Sequence, residues 1–170
     1  MQNIEIKSPL LDRAFVESTL ERLGASREWE LHQRDTFFEV SAGWLKIREQ
    51  EDCPVELISY RRSTDDSGPR ASDYDVEPLR DAETWKRLLG RVLERRGVVD
   101  KRRTLWLLRH TRIHLDRVAE LGDFLELETV VRGITPQEAA AETDEIIESL
   151  NLDRSGFLSV PYLELMLENG

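Results

Sequence analysis

The sequence predicts an α+β fold in which about eight strands close into a barrel with helices packed outside. Three observations carry this. Strand-like segments recur along the 170 residues and are interrupted by only a few helices. Within them charged and apolar residues alternate with a period of two, which puts charge on one face and hydrocarbon on the other. Charges sharing a face also tend to share a sign: Lys46 with Arg48, Lys101 with Arg103, Glu126 with Glu128. The same strands could build a sandwich or an open sheet. Closure is favoured because a barrel gives every strand an inner face for charge and an outer face to pack on helices.

The elements follow in order. Asn3-Ile4-Glu5-Ile6-Lys7 alternates as a strand, with Glu5 and Lys7 on one face. After Ser8-Pro9 a helix is expected over 12–23, stopped by Gly24. Residues 31–38 and 43–49 read as neighbouring strands joined through Ser41-Ala42-Gly43, and 55–62 as another. A polar loop over 63–70 leads to extended structure at 72–77. Residues 81–96 read as the clearest amphipathic helix, burying Trp85, Leu88, Leu89, Val92 and Leu93 until Gly97 ends it. Strands are expected at 98–108, 112–116 and 124–131. Thr135-Pro136-Gln137-Glu138 is a capping box with proline at the first helical position, opening a helix to about residue 150. A short helix at 160–167 closes the chain.

Bulk properties narrow the function. The length suits one domain with a substantial core, taken here as residues 1–170. A net charge of −10 argues against a generic nucleic-acid or anionic-membrane binder, which needs a basic surface. Cys53, the one cysteine, excludes an intramolecular disulfide framework, and no Cys/His cluster suggests zinc. With no leader-like N-terminus and no segment of membrane-spanning length, the expectation is a cytoplasmic, soluble protein.

The chemistry concentrates in Thr111-Arg112-Ile113-His114-Leu115-Asp116 and Leu121-Gly122-Asp123-Phe124-Leu125-Glu126-Leu127-Glu128. Arg112, His114 and Asp116 share one strand face. Glu126 and Glu128 share another, about 6–7 Å apart, where their repulsion calls for a cation or basic neighbours. Two glutamates can also simply line the wet face of a sheet. The recurrence of paired charge in other strands favours a metal site inside a hydrophilic tunnel. Such a tunnel suits an anionic ligand carried with a divalent ion, cations holding phosphate oxygens and carboxylates holding the metal. Buried charges are costly without a partner, so a ligand accounts for them better than stability does.

An ordered set of segments extends this over nearly the whole chain: Asn3 to Lys7, Asp35-Thr36-Phe37-Phe38, Leu45 to Glu49, Tyr60-Arg61-Arg62, Gly68 to Tyr74, Lys101-Arg102-Arg103, and 112–128. The set resembles the CYTH superfamily, the triphosphate tunnel metalloenzymes, and is most similar to its class IV adenylyl cyclase branch. The resemblance implies an eight-stranded antiparallel tunnel that binds a triphosphate, ATP or tripolyphosphate, with Mg²⁺ or Mn²⁺. By motif match it implies Lys7, Lys46, Arg48, Arg62, Arg70, Lys101, Arg103 and Arg112 as triphosphate ligands, Arg70 standing where relatives often have lysine. Glu5, Asp116, Glu126 and Glu128 are the implied metal ligands, and Glu5, Lys7, Arg112 and Asp116 the residues closest to the chemistry. Oligomeric state stays open, the resemblance leaning to a homodimer.

Other residues take plainer readings. Arg61 and Arg102 face outward, His114 is a hydrogen-bonded structural residue, and Trp29, Trp44, Trp85 and Trp106 belong to the core. Asn3 departs from the family hallmark, a Glu-x-Glu-x-Lys strand, at its first glutamate, and so removes one negative charge. Three functions share the tunnel. A cyclase would convert ATP to cyclic AMP and pyrophosphate, and a triphosphatase would hydrolyse inorganic or organic triphosphates. The third, supported by Asn3, is a non-catalytic nucleotide or polyphosphate binding module.

Overall fold

The computed structural model describes residues 2–62 and 70–169. The expected loop at 63–69 lies outside the described residues, as do the side chains of Arg62 and Arg70. Eight strands, β1 (Gln2–Pro9), β2 (Ser26–Phe38), β3 (Trp44–Gln50), β4 (Val55–Arg62), β5 (Arg70–Leu79), β6 (Arg95–Leu108), β7 (Thr111–Val118) and β8 (Gly122–Val130), form a closed barrel in the order β1-β5-β4-β3-β2-β6-β7-β8. Every pairing is antiparallel, and β8 returns to β1 to shut the ring. The β1–β5 seam is the short one, four pairs from Gln2 opposite Asp73 to Glu5 opposite Arg70.

The helices are α1 (Arg13–Arg22), α2 (Ala82–Leu89), α3 (Pro136–Ser149) and α4 (Tyr162–Asn169). Asp12 caps α1 by accepting from the Phe15 amide at 2.9 Å, and Gly24 follows at φ +80°, a conformation that favours glycine. The capping box of α3 is complete: Thr135 Oγ1 accepts from the Glu138 amide, and Glu138 accepts from the Thr135 amide. The strand alternation sends apolar side chains outward. Ile113, Leu115, Leu125 and Leu127 are fully buried against Leu20 of α1 and Ile146 and Ile147 of α3. Each such side chain contributes about 1.5–3 kcal/mol by leaving water. On the other side Ile47 and Leu79 pack with Ala82 and Leu89 of α2.

One end of the barrel interior is filled differently. Phe37, Val99 and Phe124 pack on Tyr162 and Leu163 of α4, so hydrocarbon stops that end while the charged middle stays open. Among the described residues no helix is long and apolar enough to cross a membrane.

The helix expected over 81–96 is a correction. It ends at Leu89 with Gly90 as its C-cap, and Trp85, Leu88 and Val92 are 37%, 42% and 78% exposed. The periodicity was overridden because residues from Arg95 onward pair with β2, and a barrel ladder outweighs local helix propensity. Gly97 is no helix stop. It lies in β6 opposite Phe37, where a Cβ would come within 2.5 Å of Leu163 Cδ1, so glycine is what lets α4 approach.

Candidate active site

Register decides which charges meet. Glu5 of β1 lies opposite Glu128 of β8, which lies opposite Arg112 of β7. One step along, Lys7 lies opposite Glu126, which lies opposite His114. All six side chains line a cavity of about 690 Å³ together with Lys46, Arg48, Lys101 and Arg103 from β3 and β6.

Two poles of charge result. In the first, Asp35 of β2 is buried and meets three cations: Lys46 Nζ at 2.9 Å, Arg48 through Nε and Nη2 at 2.8 and 2.9 Å, and Lys101 Nζ at 3.3 Å. Burial alone would raise the Asp35 carboxyl, but Arg48, Lys101 and Lys46 outweigh it and hold the group well below the usual carboxylate range. One carboxylate does not neutralise three cations. Burial, with Arg48 next to it, pushes the Lys46 ammonium down to about 7, and burial lowers Lys101 too. This pole has a surplus of positive charge that an anion would relieve.

The second pole is acidic. Glu126 receives Lys7 Nζ at 3.2 Å and a hydrogen bond from Arg103 Nη2. Burial would raise its carboxyl, but Lys7 and Arg103 outweigh burial and hold it well below the usual range, so it is ionised near neutral pH. Glu128 lies beside it, only 4.0 Å from Arg112 Nη1. The ligand atoms of His114, Glu126 and Glu128 all lie within 4.8 Å of one another. Two buried polar atoms on the cavity wall, His114 Nδ1 and Asn3 Oδ1, have no partner within hydrogen-bond distance among the described residues. The two carboxylates with the Asn3 amide oxygen on the same wall are oxygen ligands of the kind a hard divalent cation takes.

Of the residues the sequence singled out, Glu5, Lys7, Lys46, Arg48, Lys101, Arg103, Arg112, Glu126 and Glu128 come together on the cavity wall. Arg62 and Arg70 stand in β4 and β5, Arg70 in register with Glu5, and their side chains are outside the described residues. Asp116 is not on the wall. It is wholly buried behind Arg103, which donates to it through Nε at 2.7 Å and Nη2 at 2.6 Å, while the Tyr162 hydroxyl donates at 2.9 Å. This arrangement aims Arg103 at Glu126.

Sequence reasoning passed over four residues. Asp35 stood in a quoted segment, yet its role depends on three strands converging. His114 was set aside as structural but lines the cavity. Tyr162 gave no signal, because its partner is 46 positions away. Trp29, taken as core, is half-buried and also lines the cavity, whereas Trp106 is core and Trp85 lies partly exposed on α2. Arg61 and Arg102 do face outward.

A closed antiparallel barrel whose interior holds a cationic pole beside an acidic one is a tunnel with charge of both signs on its wall. The chain belongs to the CYTH domain family, whose domain matches residues 1–166, a family of triphosphate tunnel enzymes. No curated protein matches the sequence. Among solved structures, the PH1012 protein of Pyrococcus horikoshii OT3 is similar at a TM-score of 0.83 and 24% identity, over 96% of this chain and 98% of that one. A candidate adenylate cyclase from Vibrio parahaemolyticus matches at 0.76 and 13%, over 97% of each chain. HpAC1 from Hippeastrum, a candidate adenylyl cyclase described as revealing a dominant triphosphatase activity, matches at 0.67 and 13%, over 98% of this chain and 96% of that one. At these identities the likeness concerns the fold.

Proposed function

We propose that this chain is a metal-dependent enzyme acting on an organic triphosphate, and that its reaction is the cyclisation of ATP to cyclic AMP and pyrophosphate. The carrying observation is the three-cation cluster on Asp35 facing the Glu126/Glu128 pole across one cavity. Lys46, Arg48, Lys101 and Arg103 would bind the phosphate chain, the guanidinium groups as forks matched to phosphate oxygens. Glu126 and Glu128, with Glu5, would hold Mg²⁺ or Mn²⁺, which when bound supplies Lewis-acid stabilisation of charge on the phosphoryl oxygens. Asp116 keeps Arg103 oriented so that its donors need no reorganisation as charge develops. Trp29 on the cavity wall supports an organic triphosphate over an inorganic one, since an indole offers a surface for a ring.

In cyclisation the ribose 3′-hydroxyl gives its proton to solvent, its oxygen forms the new bond to the α-phosphorus, and the bond from that phosphorus to the β-phosphoryl oxygen breaks as pyrophosphate leaves. Hydrolysis of the terminal phosphate is the second reading, favoured by the triphosphatase activity described for the similarly folded HpAC1. The deciding experiment offers ATP and tripolyphosphate in parallel, with Mg²⁺ or Mn²⁺. Cyclic AMP with pyrophosphate is the expected outcome. Orthophosphate release makes the chain a triphosphatase, and binding without product makes it a binding module.

A further inference from the structure

His114 sits mid-strand in β7 with its side chain 7% exposed, and among the described residues nothing lies within hydrogen-bond distance of its Nδ1. That nitrogen lies 3.8 Å from Glu126 Oε2 and 3.7 Å from Glu128 Oε1. Both distances are too long for a hydrogen bond. They suit donors that share one ion: ligands about 2.0–2.2 Å from a metal stand about 3 to 4.4 Å apart, from adjacent to opposite positions. Lys7 and Arg103 already reach Glu126, but a carboxylate oxygen has two lone pairs, so each oxygen can take a further partner.

We propose that His114 Nδ1 is a further ligand of the metal held by Glu126 and Glu128, and that it biases the site toward Mn²⁺ and later first-row ions over Mg²⁺. The inference rests on Glu126 and Glu128 being the metal pole of the triphosphate site. An imidazole nitrogen binds transition ions well, whereas Mg²⁺ demands oxygen ligands and gives up water reluctantly. The competing role for His114 is a charged partner of the two glutamates, in which case a bound ion would not touch nitrogen.

Electron spin-echo spectroscopy on the whole protein loaded with Mn²⁺ alone separates the two. Wild type is expected to show ¹⁴N modulation that changes to ¹⁵N modulation when the protein carries ¹⁵N-histidine, a readout needing neither turnover nor a variant. In His114→Asn the modulation disappears, and Mn²⁺ affinity relative to Mg²⁺ falls by at least about tenfold, the loss that removing even an outer partner of a metal ligand brings. Mn²⁺ bound without histidine nitrogen modulation overturns the inference and leaves the triphosphate site standing. Histidine modulation that survives in His114→Asn overturns it too, because the nitrogen then belongs to another histidine. Failure of wild type to bind Mn²⁺, with or without tripolyphosphate, overturns both this inference and the metal-dependent site beneath it.

Discussion

Asp116 holds Arg103 through two parallel hydrogen bonds, Nε to Oδ1 at 2.7 Å and Nη2 to Oδ2 at 2.6 Å, with the carboxylate fully shielded from water. Burial would raise the Asp116 carboxyl, but Arg103 outweighs it and the group stays below its ordinary range. Removing one member of a buried pair costs about 3–5 kcal/mol when the other is left unpaired, and Arg103 would keep only Glu126, which sets that figure as the upper bound. Asp116→Asn is therefore expected to lower stability by up to that amount in urea melts. Triphosphate affinity should fall with it, while Mn²⁺ binding persists. Loss of Mn²⁺ binding from a folded Asp116→Asn protein would restore Asp116 to the metal ligands.

Glu128→Gln tests the metal pole more cleanly than any change at Glu126, because Glu126 also anchors Lys7 and Arg103. The contact of Glu128 with Arg112 is long and partly exposed, so stability should move by less than about 1 kcal/mol. Metal-dependent turnover should vanish, as measured by product release with excess Mg²⁺ or Mn²⁺. Turnover at the wild-type rate would remove Glu128 from the site.

Arg112 is 42% exposed at its side chain. Its alanine variant should leave the melting temperature nearly unchanged. The dissociation constant for tripolyphosphate should rise by the equivalent of about 1.5–3 kcal/mol, the usual worth of a hydrogen bond to a charged group. Unchanged calorimetric affinity would exclude Arg112 from phosphate binding.

Lys46 makes the protein sense pH. Its ammonium, pushed from 10.5 down to about 7 by burial and then by Arg48, binds fewer protons in the folded chain than in the unfolded one between those values. Stability contributed at Lys46 thus rises with pH across that window, and the penalty for burying its charge is complete below about pH 7. A bound triphosphate favours the charged form, so above about pH 7 binding should take up close to about one proton at this site. Calorimetry in buffers of different ionisation enthalpy reads that uptake as the difference between wild type and Lys46→Met. Equal uptake by the two would refute it.

Gly97 ties the stopped end of the barrel to the site. Gly97→Ala would push a methyl against Leu163, beside Tyr162, the residue that steadies Asp116. Overpacking of this kind costs about 1–3 kcal/mol, and denaturant titration should show it. Triphosphate affinity should weaken in parallel through Arg103.

The strands and their charged face were legible because a period of two survives in the sequence wherever one side of a strand meets hydrocarbon. Glu126 and Glu128 announced themselves for that reason, as did the segment Val55–Arg62, which forms β4. What stayed hidden depends on register and distance. Asp35 is one aspartate among many until β2, β3 and β6 put three cations around it. His114 looks structural until β8 places Glu126 opposite. The C-terminal half of the expected α2 helix was misread because the chain turns over 90–94 after the Gly90 cap to bring Arg95 and Arg96 into β6. No local pattern records the pairing that forms β6.

The meeting of β1 with β8 also has a consequence in time. Glu5 reaches Glu128, and Lys7 reaches Glu126, only through the contact between the first strand and the last. Pairings this distant in sequence close late and slowly, because loop entropy must be overcome before the contacts form. Until that seam shuts, Glu5 stands apart from Glu128, and Glu126 is without Lys7. An ion or triphosphate that binds only the shut ring would draw the last folding step forward, so that for this chain maturing and becoming ready for substrate are one event.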